Sequence, residues 1–382
     1  MFLVENNINK DMDLLDHKNY PTPKQEYKVL VRCSTFNQSR YIEDALNGFA
    51  MQKTDFPFVC FVMDDASTDG EQEVIKKWMK CECDMGKAET IDSPTSIIII
   101  APHKTNLSCT FAFYLLKQNL YGTGKKIHYL NPWREKCEYE AICEGDDYWI
   151  NPTKLQKQVD FLENNPSCGM VHSKCMMYEQ NKQKFSHIIL GEEFSSFNEL
   201  LLSNKIITNS ILLRTNLYLK YYNESKKWDK SSWLMGDYPL WLYISYNSNI
   251  VLLNEIVGVY RVLCNSASHS TNINKLLAFN KSVYDIQLFF ANKYEVEDHL
   301  IEKISTNFHN NECLLLIKNK DFLKFIRKIV KIPSNKIISV FSFIFNRIYN
   351  HCLLKLNLKN NICKNKYNIN CYNENSKSMS FI

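Results

Sequence analysis

Glycine and proline are scarce, with ten of each in 382 residues. That excludes a collagen-like chain and a low-complexity linker protein, both of which need far larger shares of these residues. No internal repeat recurs, so a solenoid is not indicated. Between residues 1 and 27 acidic and polar side chains interrupt every apolar run. Neither a signal peptide nor an anchor helix is expected there, which points to a cytosolic catalytic part. The run from Ile337 to Phe345 is broken by serines and bounded by Lys336 and Arg347. It is too short to cross a membrane, which takes about 20 apolar residues.

Apolar and aromatic residues are abundant. A 45% hydrophobic share, with 22 Phe and 21 Tyr, suffices for a large core, and the length suggests one large domain with a smaller appendage. Fourteen cysteines would suggest disulfides in a small secreted protein. Here Cys33, Cys60 and Cys143 sit inside apolar runs, so reduced thiols acting as small core residues are expected. Cys81 and Cys83, with His103 at a distance, offer zinc-ligand chemistry, but no second cysteine pair at ligand spacing follows. The net charge of +5 hides an asymmetry: from Lys318 to Lys366 there are twelve Lys or Arg against one acid, Asp321.

The pattern along the chain alternates. Tyr27 to Cys33 reads as a strand, Tyr41 to Phe49 as a helix, and the continuous apolar run Phe58 to Met63 as a strand covered on both faces. A helix from Gln72 to Lys80, a polar insert from Cys81 to Thr95 and a β-branched strand from Ser96 to Ala101 follow. Leu107 to Leu120 reads as an amphipathic helix. After a basic, proline-interrupted loop comes a strand from Glu138 to Cys143, then a helix from Pro152 to Asn164. Strands are expected at Gly169 to Tyr178 and Ile206 to Leu213, with a short helix at Phe197 to Leu202 between them. A helix capped by Asp237 runs to Tyr246, and Ile250 to Leu253 and Val257 to Val262 form a closing pair of short strands. Such alternation indicates an α/β sandwich with a mostly parallel central sheet. In such sheets ligands bind at the carboxyl ends of the strands.

Two acidic turns fall on that edge. One is Asp64-Asp65-Ala66-Ser67-Thr68-Asp69-Gly70, and the other is Glu144-Gly145-Asp146-Asp147-Tyr148-Trp149. Three carboxylates in four positions repel one another, so a hard divalent cation is their natural guest. Tyr148 and Trp149 offer an apolar wall for a sugar or base. A solvated turn capping the next helix is the plainer reading of the same hexapeptide.

Taken in order, Ser34-Thr35-Phe36-Asn37, the Asp64 turn, EGDDYW and Gly236-Asp237-Tyr238 resemble the motif series of family 2 glycosyltransferases, over roughly Tyr27 to Ser270. The resemblance implies a GT-A nucleotide-diphospho-sugar transferase fold, a nucleoside-diphosphate sugar donor expected to be UDP-linked, Mg²⁺ or Mn²⁺, and inversion at the anomeric carbon. It implies that Thr35, Phe36 and Asn37 wall the base, that Asp64 and Asp65 meet base and ribose, and that Asp146 is the main metal ligand with Asp147 and Glu144 assisting. Asp237 falls where the family has its general base. This chain departs from the family in carrying Glu144 for the usual Asp and Phe36 for the usual Tyr. After Tyr260-Arg261-Val262, where many members of the family carry a histidine, the nearest here is His269, which either reaches the metal or diphosphate or is a mobile loop histidine; Arg261 could face the diphosphate or pair with an acid.

The expected organisation is a polar leader (1–26), the transferase domain (27–272) and a helical, basic extension (273–382). In that tail Phe322, Leu323, Phe325, Ile326, Ile329 and Val330 interleave with Lys320, Lys324, Arg327, Lys328 and Lys331. This suits either a packed bundle or an anionic membrane surface bearing a lipid-linked acceptor, placing the enzyme at the inner face of the cell membrane in surface polysaccharide assembly. A glycan acceptor is the other possibility, and no nucleic-acid partner is expected. Two competing readings are a nucleotidyltransferase, which would want a glycine-rich phosphate loop that Ser34 to Arg40 lacks, and a catalytically silent nucleotide-sugar binder.

Overall fold

The computed structural model describes residues 21, 23, 25–263, 270, 272–330 and 340–346. His269, the run 337–339, nearly all of the leader and everything beyond 346 lie outside the described residues. The chain divides into two compact units, residues 1–269 and 270–382.

In the first unit the strands are β1 (Tyr27–Thr35), β2 (Phe58–Asp64), β3 (Glu89–Asp92), β4 (Ser96–Pro102), β5 (Cys109–Leu116), β6 (Cys137–Ile142), β7 (Tyr148–Trp149), β8 (Cys168–Glu179), β9 (Lys184–Leu190), β10 (Leu212–Arg214) and β11 (Asn249–Val262). The helices are α1 (Ile42–Ala50), α2 (Glu71–Glu82), α3 (Lys126–Arg134), α4 (Lys154–Asn164), α5 (Phe197–Leu202), α6 (Thr215–Ser225) and α7 (Asp237–Asn247). One sheet runs β3-β4-β5-β2-β1-β6-β10-β8-β11-β7, with β9 added to β8. Its centre, β5-β2-β1-β6, is parallel throughout.

Burial explains this centre. Every residue of β2 and β5 is buried, as a strand covered on both faces requires. Side chains alternate between two cores. Val29, Val31, Phe58, Cys60 and Val62 pack with Ile42, Leu46 and Phe49 of α1, Ile75 and Trp78 of α2, and Leu155 and Val159 of α4. Leu30, Val59, Phe61 and Met63 pack with Tyr129, Leu130 and Trp133 of α3. At Gly48 of α1 a Cβ would lie 2.8 Å from the Trp149 backbone nitrogen, so the helix and the strand after the second acidic turn touch backbone to backbone.

Three expectations fail. Leu107 to Leu120 is not a helix, because its centre is β5, paired to β2 on one side and β4 on the other. The segment CTFAFYLL is apolar at nearly every position, so a helical period fits it by default, and only burial on both faces decides for strand. The real helix comes later as α3, where Pro132 and a weak apolar stripe disguised it. The closing pair of strands is a single strand, β11, with register shifts between Leu253 and Gly258. Ile206 to Leu213 is mostly a turn, with β10 beginning only at Leu212.

The described cysteines are free thiols, and all but Cys81 are buried. Cys83 pairs by backbone with His103, whose Nδ1 accepts the Asn106 N–H at 3.0 Å. Among the described residues no group of three metal-ligating side chains forms.

The second unit holds α8 (Ile273–Lys293), α9 (Asp298–Lys318) and α10 (Phe322–Ile329), and residues 340–346 are helical. Tyr284 stacks on Phe308 with centroids 4.3 Å apart. Phe325 and Ile329 turn inward against Cys313, Val340 and Ile344, whereas Phe322, Leu323, Ile326 and Val330 are exposed. No helix among the described residues is long and apolar enough to cross a membrane.

His172 of β8 is fully buried and neither ring nitrogen has a hydrogen-bond partner. Burial pushes its pKa down to about 4. The folded chain therefore resists a proton that the unfolded chain accepts near the ordinary value of about 6.5. This group costs stability as pH falls from about 6.5 towards 4. Urea titrations at pH 7 and pH 4.5 should show His172→Phe losing less stability on acidification than the wild type, by roughly 2 kcal/mol.

Candidate active site

The carboxyl ends of the parallel strands carry the site. β1 ends at Thr35 and β2 at Asp64, and these two are partners in the sheet register. The turns that follow are laced together. Asn37 adopts φ 55°; its N–H donates to Ser67 Oγ at 2.8 Å and its Oδ1 accepts the Thr68 N–H at 2.8 Å. Glu71, at the start of α2, is fully buried. It accepts hydrogen bonds from Thr35 Oγ1, from the Gln38 N–H at 2.8 Å and from Ser67 Oγ at 2.8 Å. Burial raises its pKa, with these bonds opposing the rise.

Asp64 and Asp65 differ. Asp64 Oδ1 accepts from the Ser67 N–H and Gln72 Nε2, while its Oδ2 is buried with no partner. An orphaned carboxylate oxygen is costly to bury unless something fills the place. Asp65 is satisfied on both oxygens, by the Leu120 N–H at 2.7 Å and by Lys126 Nζ at 2.5 Å. Thr35 is buried beneath this edge, whereas Phe36 is nearly half exposed.

The second acidic turn lies against the first strand. At Gly145 a Cβ would fall 2.4 Å from Thr35 Oγ1 and 2.7 Å from Gln38 Oε1, so no larger residue fits without moving the turn. Burial raises the pKa of Glu144, Asp146 and Asp147. Asp146 and Asp237 raise that of Glu144 further, whereas Arg32 and Lys126 offset it. Arg261 and the Gln38 side chain favour the ionised form of Asp146. Asp147 is turned to a structural use: its Oδ1 accepts the Arg261 N–H at 2.8 Å.

Arg261 is clamped. Its Nη1 donates to the Asp146 carbonyl at 2.6 Å and its Nη2 to Asp44 at 2.7 Å, and its guanidinium sits 4.8 Å from the ring centroids of both Tyr41 and Tyr148. It pairs with an acid and fixes the turn. Trp149 is not a ligand wall. It is buried, edge-on to Phe49 at 5.0 Å, and donates to the Asn209 carbonyl at 2.7 Å.

Asp237 is the first residue of α7, and Gly236 takes the capping position. Its Oδ2 accepts from Thr208 Oγ1 at 2.7 Å and its Oδ1 from the Tyr238 N–H at 2.8 Å. The side chain is half-buried. Glu144 feels its charge, so the acid of α7 is within electrostatic reach of the turn after β6. Cavities of about 270 and 310 Å³ line the opposite, amino-terminal edge of the strands, at Tyr27 and Thr110 and at Cys137 and Arg214, away from these acids.

Glu71, Gln38, Lys126 and Thr208 were not singled out in the sequence. Glu71 had a signal, since Thr68-Asp69-Gly70-Glu71 has capping-box spacing, but its reach back to β1 is tertiary. Lys126 follows Gly122-Thr123-Gly124, a signal lost when β5 was read as helix.

The crystal structure of Staphylococcus aureus TarS (residues 1–349) in complex with UDP-GlcNAc overlays with a TM-score of 0.50 at 16% identity, covering 84% of this chain and 88% of that one. The fold is that of the GT-A glycosyltransferases, of the family 2-like type. A mannosyltransferase from Pyrobaculum calidifontis in complex with GDP-Man and Mn²⁺ gives a TM-score of 0.46 at 16% identity, covering 84% of this chain and 81% of that one. In sequence, uncharacterized proteins of Mycobacterium bovis and Mycobacterium tuberculosis are 29% identical over 241 residues, 62% of this chain. The chain spans 59% of the length of these relatives. No protein-family model matches it.

Gly145 yields a direct test of the close approach between the turn and β1. Gly145→Ala should cost roughly 1–3 kcal/mol in chemical denaturation, the range for overpacking a tight contact.

Proposed function

We propose that this chain is an inverting glycosyltransferase that moves a sugar from a nucleoside diphosphate, UDP being the favoured carrier, to an acceptor hydroxyl. The observation that carries the reading is that the turn bearing Glu144 and Asp146 rests on Thr35 at the carboxyl edge of the sheet, where Asp64, the register partner of Thr35, keeps a buried carboxylate oxygen without a partner; the charge of Asp237, from a separate segment, is felt at Glu144. Thr35, Phe36 and Asn37 would line the base, Asp64 Oδ2 would accept its N–H, and Asp65 would lie at the ribose.

The donor set fits a divalent cation that arrives with the donor. Asp146 is the available anchor, Glu144 lies beside it, and Asp147 supports the turn through its bond to Arg261. Mg²⁺ or Mn²⁺ commonly uses one or two carboxylates with phosphate oxygens completing the shell, and when bound it neutralises charge on the departing diphosphate. The chain's own residues do the rest. Asp237, fixed by Thr208 and by the Tyr238 N–H, takes the proton of the acceptor hydroxyl. The acceptor oxygen bonds to the anomeric carbon from the face opposite the leaving phosphate oxygen, the nucleoside diphosphate departs with the bonding pair, and configuration inverts.

The acceptor is a glycan or a lipid-linked glycan in surface polysaccharide or lipopolysaccharide assembly, reached from the cytoplasmic face of the membrane. The exposed Phe322, Leu323, Ile326 and Val330, flanked by Lys320, Lys324, Arg327 and Lys328, suit an anionic bilayer surface.

Asp237→Asn should leave donor binding intact by calorimetry and lower transfer, or slow donor hydrolysis, by about 10²–10⁴-fold. Retained turnover in that variant refutes the assignment of the base. In flotation with anionic liposomes the full chain should rise, and a chain truncated after Lys318 should remain in the lower fraction; equal flotation of both refutes membrane docking.

A further inference from the structure

We propose that Lys126 is the side chain that grips the phosphates of the donor, a role that rests on the nucleotide-sugar reading above. The nucleoside end of such a donor would be held at Asp64 and Asp65, and the metal end at Asp146. The phosphates join these two ends, so a cation between the two acidic turns would meet them.

Lys126 stands at the first of these turns, against Asp65. Its Nζ lies 2.5 Å from Asp65 Oδ2; the lysine side chain is 32% exposed and that of Asp65 only 2%. The segment leading to it is sewn to the same acid, since the Leu120 N–H donates to Asp65 Oδ1 at 2.7 Å and Asn119 Nδ2 to the Asp65 carbonyl at 2.9 Å. Between these bonds and Lys126 the chain turns through Gly122 and Gly124 at φ +75° and +71°, and a Cβ at either would meet nothing within 4 Å. The turn is thus anchored at one end, open towards solvent, and delivers a lysine to the cleft. On the other side, Lys126 offsets the rise in the Glu144 pKa, so its charge is felt by both acidic turns.

Of the neighbouring arginines, Arg261 is held by Asp44 and the Asp146 carbonyl, and Arg32 Nε is buried 3.2 Å from Glu140, an acid that Arg134 already grips. A lysine ammonium is a point charge on a flexible stem that can exchange one anion for another, unlike a clamped guanidinium. Transfer of Lys126 from Asp65 to a phosphate would also free Asp65 Oδ2 to accept a ribose hydroxyl. In the empty site the same lysine keeps that buried carboxylate paired.

Calorimetric titration of the full chain in EDTA, with UDP, GDP and their parent nucleosides, separates the possibilities. For whichever nucleoside diphosphate the wild type binds, Lys126→Met should weaken it by about tenfold or more and leave the nucleoside unchanged, while the melting temperature falls because Asp65 Oδ2 loses its partner in the empty site. Lys126→Arg should recover most of the lost affinity. Equal weakening of nucleoside and diphosphate makes Lys126 a support for Asp65 only and overturns the proposal, as does no change in either. A wild type that binds none of the four, with or without Mn²⁺, overturns the donor reading itself and this assignment with it.

Discussion

Carboxylates crowd this structure at one spot, and the cost of holding them there shapes what surrounds them. Glu144, Asp146 and Asp147 come within four residues, and Asp237 adds its field from another helix. Burial makes each of the first three harder to ionise. The protein relieves this with groups brought from every side: Arg261 from β11, Lys126 from α3, Arg32 from β1 and the backbone N–H that holds Asp147. The relief is partial, since burial remains the first cause of the shift at all three.

Geometry for this arrangement comes from the parallel centre of the sheet. Parallel strands end on the same edge, so the turns after β1, β2 and β6 emerge side by side. Their spacing is then tightened by specific contacts. Glu71 ties the turn after β1 to the turn after β2, and the lack of a side chain at Gly145 lets the turn after β6 rest on Thr35. Gly48 makes a similar contact behind the acidic turn, where α1 presses on Trp149. Small residues here set distances that larger ones would open.

Several parts of the site could be read directly from the chain, and others could not. The paired Asp64 and Asp65 after an apolar run, and EGDDYW after another, are local patterns, and a strand followed by an acidic turn is legible wherever it occurs. Asp237 could be placed only as a member of an ordered motif series. The reading of Trp149 as a wall failed because an aromatic beside acids looks the same whether it faces a ligand or, as here, Phe49 and Asn209. Lys126 stayed hidden because β5, apolar on both faces, imitates a helix and so misplaced the turn that follows.

The sequence by itself determined which segments are apolar enough to be covered on both faces, where acids cluster, and that a basic, amphipathic stretch follows the α/β part, since each of these depends on residues adjacent in the chain. The tertiary structure alone decided which acids are neighbours, that Asp65 and Asp147 are already bonded while Asp64 keeps a free oxygen, and which lysine pairs with Asp65. Those outcomes depend on contacts between residues tens to hundreds of positions apart, and no local period or propensity encodes such distances.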